Sequence, residues 1–217
     1  MKTSKAVLFD LDGTLIDSMA LFRQSVADAI ARHGASLQPE YFLTWHAGRL
    51  PWEDLLKEYT IDLTQQSDVQ DYSKERFQEL LRTQIGWMPG AEELLTHVRV
   101  AGIPTGIVTT AFNTFVDAVN QKLSIRSLID LFITAEDVGH KGKPNPYGLL
   151  LAAERLGIKP TNAIYIGDQP FDVLAANAAG MESWLIQHPH TPVDAGKNAT
   201  LVLPNLAEAL HILNHDS

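Results

Sequence analysis

The chain has 217 residues, 45% of them hydrophobic and 20% charged, and it carries no cysteine. A length of this order buries a sizeable core as one domain or one domain with an insertion. The missing cysteines exclude disulfides, thiolate metal sites and a cysteine nucleophile, and a formal charge of −9 sets a net field that repels DNA or RNA.

The first residues lead through Ala6-Val7-Leu8-Phe9 directly into Asp10. So short an apolar run makes neither a secretory h-region nor a spanning helix, and no later run approaches membrane length. The expectation is a cytoplasmic protein with no membrane or nucleic-acid partner, monomeric by default. Short apolar runs at 6–9, 103–108, 131–134, 163–166, 183–186 and 200–203 read as buried strands. Helical patterns fall at 91–100, 114–123, 146–156, 171–179 and 206–213, broken by Gly102 with Pro104, Gly157 with Pro160, and Gly180. That alternation predicts an α/β fold with a Rossmann-like, mainly parallel sheet.

One stretch does not alternate. From 18 to 86 the apolar residues recur at helical spacing, as in Leu21, Phe22, Ser25, Val26, Ala29 and Ile30, with no strand pattern. About 70 residues is too long for a simple crossover between parallel strands. The stretch reads as an inserted α-helical cap domain, leaving 1–17 and 87–217 as the α/β core. Gly86-Trp87-Met88-Pro89-Gly90 would be the return hinge, and 188–199 a surface loop.

Chemistry concentrates at predicted strand ends. In Asp10-Leu11-Asp12-Gly13-Thr14, carboxylates at i and i+2 leave an extended chain on the same side, at the sheet edge where such folds place ligands. Asp10 can attack phosphorus to form an aspartyl-phosphate, and Asp12 can act as general acid and then base. An EF-hand fails here, because Leu15 and Leu21 stand where it needs Gly and Glu. An Asx turn is the plainer alternative. Thr109 and Thr110 end the second strand, where hydroxyls and helix-start N–H groups can cradle a phosphate. Lys143, in Gly142-Lys143-Pro144, is aimed by the rigid proline, whereas Lys141 reads as solvated. Asp168 ends another strand with Asp172 a helical turn beyond; helix capping is the plain alternative for Asp168. Several carboxylates in one crevice repel one another unless a cation joins them, and oxygen-only donors favour magnesium over zinc.

Together these motifs resemble the haloacid dehalogenase-like hydrolase superfamily. Asp10-Leu11-Asp12-Gly13-Thr14 is similar to its first motif, Thr109 to the second, Lys143 to the third, and Gly167-Asp168-Gln169-Pro170-Phe171-Asp172 to the fourth. The helical insertion resembles the phosphoglycolate phosphatase and β-phosphoglucomutase branch. The resemblance implies Asp10 as nucleophile and metal ligand, and Asp12 as acid/base that also binds metal through its carbonyl. Thr109 and Lys143 would hold phosphoryl oxygens, and Asp168 would bind magnesium. Asp172 would ligate through water or orient Lys143. Gln169 and Thr110 depart from the residues relatives usually carry there. In the cap, Arg49 of Trp45-His46-Ala47-Gly48-Arg49 is the candidate for reading the substrate. The implied activity is a magnesium-dependent phosphatase acting on small phosphorylated metabolites, such as sugar phosphates or phosphoglycolate. The alternatives are a β-phosphoglucomutase-like phosphomutase and a catalytically retired binding protein.

Overall fold

The computed structural model describes residues 5–47, 50–188, 191 and 194–215. The chain forms two compact units, Met1–Asp17 with Gly86–Ser217, and Ser18–Ile85.

The first unit is built on six short strands: β1 (Ala6–Phe9), β2 (Thr105–Val108), β3 (Leu131–Ile133), β4 (Ala163–Gly167), β5 (Glu182–Ile186) and β6 (Leu201–Leu203). Every pairing is parallel, and the spatial order is β3-β2-β1-β4-β5-β6. Val7, Leu8, Phe9, Ile164, Tyr165 and Ile166 are all buried, so both faces of the central strands are covered. A fully parallel sheet needs this, and it explains why the strands read as continuous apolar runs without alternation. Its helices are α5 (Ala91–Val100), α6 (Asn113–Leu123), the short α7 (Ala135–Val138), α8 (Tyr147–Leu156), α9 (Pro170–Ala179) and α10 (Leu206–His215). The cluster around Leu8, Val108, Leu149, Tyr165, Ala175 and Ala176 joins the sheet to α8 and α9. The run of small residues in α9 lets it lie close to the strands.

Strand order positions the site. The chain leaves β1 toward β2 on one side and reaches β4 on the other, so β1 lies at a topological switch point. Side chains just past β1, β2 and β4 therefore converge at the carboxyl edge, where ligands bind in such sheets. The turn after β1 is held in the same unit: Gly13 N–H donates to the Ile16 carbonyl at 2.9 Å and Met88 N–H to the Leu15 carbonyl at 2.9 Å. Gly86 also belongs here, its carbonyl accepting from Asp17 N–H.

The second unit is helical: α1 (Met19–Ala31), α2 (Pro39–Ala47), α3 (Trp52–Glu58) and α4 (Gln66–Gln84). Val26, Ile30, Phe42, Leu55, Leu56 and Val69 form its core, with an aromatic group of Phe22, Phe42 and Trp45 within it. Among the described residues, no helix of either unit is long and apolar enough to cross a membrane.

Candidate active site

Asp10 follows β1 directly, and its N–H donates to the Ile166 carbonyl at 2.8 Å, so the backbone still follows the ladder there. Its side chain is buried against Lys143, whose Nζ lies 2.6 Å from Asp10 Oδ1 and 2.7 Å from Asp172 Oδ1. The Lys143 side chain is only 3% exposed. The solvated reading thus applies to Lys141 alone, which is exposed with its Nζ 4.6 Å from the centre of the Tyr147 ring.

Asp168 follows β4. Thr14 Oγ1 donates to its Oδ1 at 3.1 Å, and Gln169 Nε2 donates to its Oδ2. Asp172, in the first turn of α9, accepts from Gln169 N–H at 3.0 Å through Oδ2 while its Oδ1 faces Lys143. Helix capping therefore involves Asp172 with Gln169 and not Asp168. Two glycines make this approach possible. Gly13 has φ +85°, and a Cβ there would lie 2.7 Å from Asp168 Oδ2; a Cβ on Gly167 would lie 2.5 Å from Asp172.

One carboxylate oxygen from each of Asp10, Asp168 and Asp172 lies within 4.8 Å of the others. Burial, reinforced by Asp172 and Asp168, pushes the Asp10 carboxyl up to about 8 against the opposing pull of Lys143. Burial and then Asp172 push Asp168 up to about 6, despite its hydrogen bonds from Gln169 and Thr14. Burial alone would lower Lys143, but Asp10 and Asp172 hold it above the ordinary lysine value. One ammonium does not neutralise three acids. This hard, oxygen-only donor set fits a divalent cation, which would relieve the repulsion among them.

Thr109 is buried at the end of β2, its Oγ1 accepting from Ala111 N–H at 3.0 Å. The hydroxyl proton remains available to donate. The expected cradle differs in one respect. Asn113 N–H, at the start of α6, already donates to Glu136 at 2.9 Å, so that helix start is occupied by a carboxylate. Thr110 is exposed beside Thr109, and Asp12 is exposed in the turn beyond Asp10. Arg49 lies outside the described residues.

Three further residues contribute in ways the sequence does not indicate. Tyr165 lies beneath the site and accepts from Lys143 Nζ at 2.9 Å. Gln169 supports both Asp168 and the start of α9. His188, read as part of a surface loop, donates through Nε2 to the Gly13 carbonyl at 2.7 Å, so that loop begins by bonding the Asp12 turn. Thr191 and Ala195 farther along it are buried. The one available signal was Tyr165, since a phenol inside an apolar strand must find a polar partner.

Residues 4–180 match the family description of a haloacid dehalogenase-like hydrolase. The chain belongs to that family. It is 33% identical over 186 residues to hexitol phosphatase A of Escherichia coli, covering 85% of this chain and 84% of the relative. It is 31% identical over 189 residues to phosphoglycolate phosphatase of Xanthomonas campestris pv. campestris, covering 84% and 83%. A haloacid dehalogenase-family hydrolase from Deinococcus radiodurans, solved with bound phosphate and sodium, superposes with a TM-score of 0.77 at 25% identity, covering 97% of this chain and 96% of that one. As a haloacid dehalogenase-like hydrolase, this chain is an enzyme among relatives named as phosphatases, and its α/β fold is theirs.

Proposed function

We propose that this protein is a magnesium-dependent phosphatase of small phosphate monoesters, of the sugar phosphate or phosphoglycolate type. The observation that carries the reading is the buried Asp10–Lys143–Asp172 contact, with Asp168 beside it at the switch point of the sheet. The hexitol phosphatase and phosphoglycolate phosphatase relatives support the substrate class.

Asp10 attacks phosphorus; the new oxygen–phosphorus bond forms as the ester bond to the leaving oxygen breaks, and Asp12 supplies the proton that oxygen needs. Asp12 then takes a proton from water, which attacks phosphorus, releases inorganic phosphate and regenerates Asp10. Exposure suits Asp12 to exchange protons with ester and water, whereas buried Asp10 is shielded. Lys143 and Thr109 hold the phosphoryl oxygens, with Thr110 at the rim. Asp10, Asp168 and the Asp12 carbonyl would hold magnesium, with Asp172 orienting Lys143. When bound, the cation supplies positive charge that screens the acids from the phosphoryl group. The helical unit Ser18–Ile85 is proposed as the cap that the resemblance implies.

Inorganic phosphate release from a panel of polyol, sugar and glycolate phosphates tests this, with magnesium present and with it chelated. Magnesium-dependent release concentrated on a few esters is the expected result. Isomer formation without net phosphate release would replace the phosphatase with a phosphomutase, and no turnover of any ester would leave a binding protein.

A further inference from the structure

Tyr165 is 1% exposed in the middle of β4, where a hydroxyl must be satisfied within the protein. Its oxygen lies 2.9 Å from Lys143 Nζ, 3.0 Å from the Val108 carbonyl oxygen and 3.3 Å from Asp172 Oδ1. The direction of these bonds follows from chemistry. An ammonium has no lone pair, so Lys143 donates to the phenol, and the single phenol proton must pass onward to an acceptor. The Val108 carbonyl is the nearer of the two.

The result is an ordered chain from Lys143 N–H to the Tyr165 hydroxyl to the Val108 carbonyl. Val108 is the last residue of β2, and Thr109 follows it. One buried hydroxyl therefore ties together the lysine and the strand end that carries Thr109. The ring is held in turn by the cluster that contains Leu8, Val108 and Leu149. Asp10 and Asp172 accept the other two Lys143 protons; a phosphoryl oxygen bound at Asp10 would take over the proton that Asp10 accepts, while Tyr165 and Asp172 keep the ammonium in place.

We propose that Tyr165 is a positioning residue for phosphoryl binding, setting Lys143 relative to Thr109 by bridging the ammonium to the Val108 carbonyl. This rests on the reading of Lys143 and Thr109 as the groups that hold phosphoryl oxygens. Tyr165 itself acts only through them. Losing the hydroxyl leaves an ammonium short of one acceptor and a carbonyl short of its donor, while the ring keeps its packing.

Three variants are compared with the wild type: Tyr165→Phe, Lys143→Arg, and Leu149→Val as a control for packing in the same cluster. The readouts are kcat and KM on the best ester, inhibition by inorganic phosphate, and the rise in melting temperature that phosphate produces, all with magnesium. Tyr165→Phe is expected to lower kcat/KM about tenfold, the scale of one hydrogen bond to a charged group, and to weaken phosphate inhibition in parallel. Leu149→Val should lower the melting temperature with phosphate inhibition unchanged. The phosphate-induced rise in melting temperature stays readable even in a destabilised variant. Tyr165→Phe within about twofold of wild type in both kinetic readouts, while Lys143→Arg loses far more, would overturn the proposal and leave the reading of Lys143 intact. Full activity in Lys143→Arg would overturn the reading itself, and the proposal with it.

Discussion

Lys143 Nζ and Asp10 Oδ1 lie 2.6 Å apart across a sequence separation of 133 residues, both buried at the sheet edge. The two members of this pair are not equivalent. Lys143 pairs with Asp172 as well as Asp10, whereas among the described residues Asp10 pairs with Lys143 alone. Removing the lysine strands two carboxylates, a loss of the kind that costs about 3–5 kcal/mol. Replacing Asp10 removes a carboxyl that burial already disfavours and leaves Lys143 paired with Asp172. In chelator, Lys143→Met is therefore expected to melt well below wild type and Asp10→Asn at or above it, while both lose turnover. Thermal melts beside phosphate-release assays check this; an Asp10→Asn protein that turns over normally would remove Asp10 as nucleophile.

Asp10 and Asp168 give stability a pH dependence that a cation should oppose. Burial raises Asp10 from 3.8 to about 8 and Asp168 from 3.8 to about 6. The folded protein thus binds protons that the unfolded chain has released, so stability falls as pH rises from about 4 toward 8. In chelator the melting temperature should decline from pH 5 to pH 8. Magnesium should raise it, and by more at pH 8, where the acids must otherwise carry unscreened charge. A melting temperature that climbs with pH in chelator would refute this account of the site.

His188 holds the Gly13 carbonyl at 2.7 Å, one residue from Asp12. His188→Ala frees that carbonyl and loosens the turn that aims the proposed acid/base. The expected loss is severalfold in kcat, with phosphate inhibition little changed, because Lys143 and Thr109 are untouched. His188→Gln offers an amide donor at similar reach and should recover part of the rate. If the two variants lose kcat equally, the hydrogen bond is not what matters.

In the helical unit, Ser25 Oγ lies 2.8 Å from the Phe22 carbonyl and 3.2 Å from Ser73 Oγ, with both serines buried. The Ser25 proton goes to the carbonyl, so Ser73 must be the donor between them. Ser25→Ala then leaves the Ser73 hydroxyl without its acceptor, whereas Ser73→Ala leaves Ser25 still bonded. Urea unfolding should show Ser25→Ala costing about 1–3 kcal/mol and Ser73→Ala less, with the double variant no worse than Ser25→Ala alone.

Much of the fold was legible because it rests on local periodicity. The six apolar runs became the six strands to within a residue or two, and the helical pattern at 91–100 became α5 with the same bounds. Strand ends could be located in the same way, which brought Asp10, Thr109 and Asp168 into view as a set. The short α7 was missed, since its single turn spans less than a readable period. Glu136 reaches the α6 start from beyond another strand, a contact that no local pattern announces.

By itself, then, the sequence determined which groups exist and at which ends of which strands they stand, because hydrophobic period and turn chemistry act over a few residues. Only the tertiary structure decided their partners. Lys143 meets Asp10, Asp172 and Tyr165, and His188 meets Gly13, through parallel pairing in the order β3-β2-β1-β4-β5-β6. Hydrogen bonds of this length depend on position to within a fraction of an ångström. That position is set by sheet register and packing across more than a hundred residues, which no local pattern encodes.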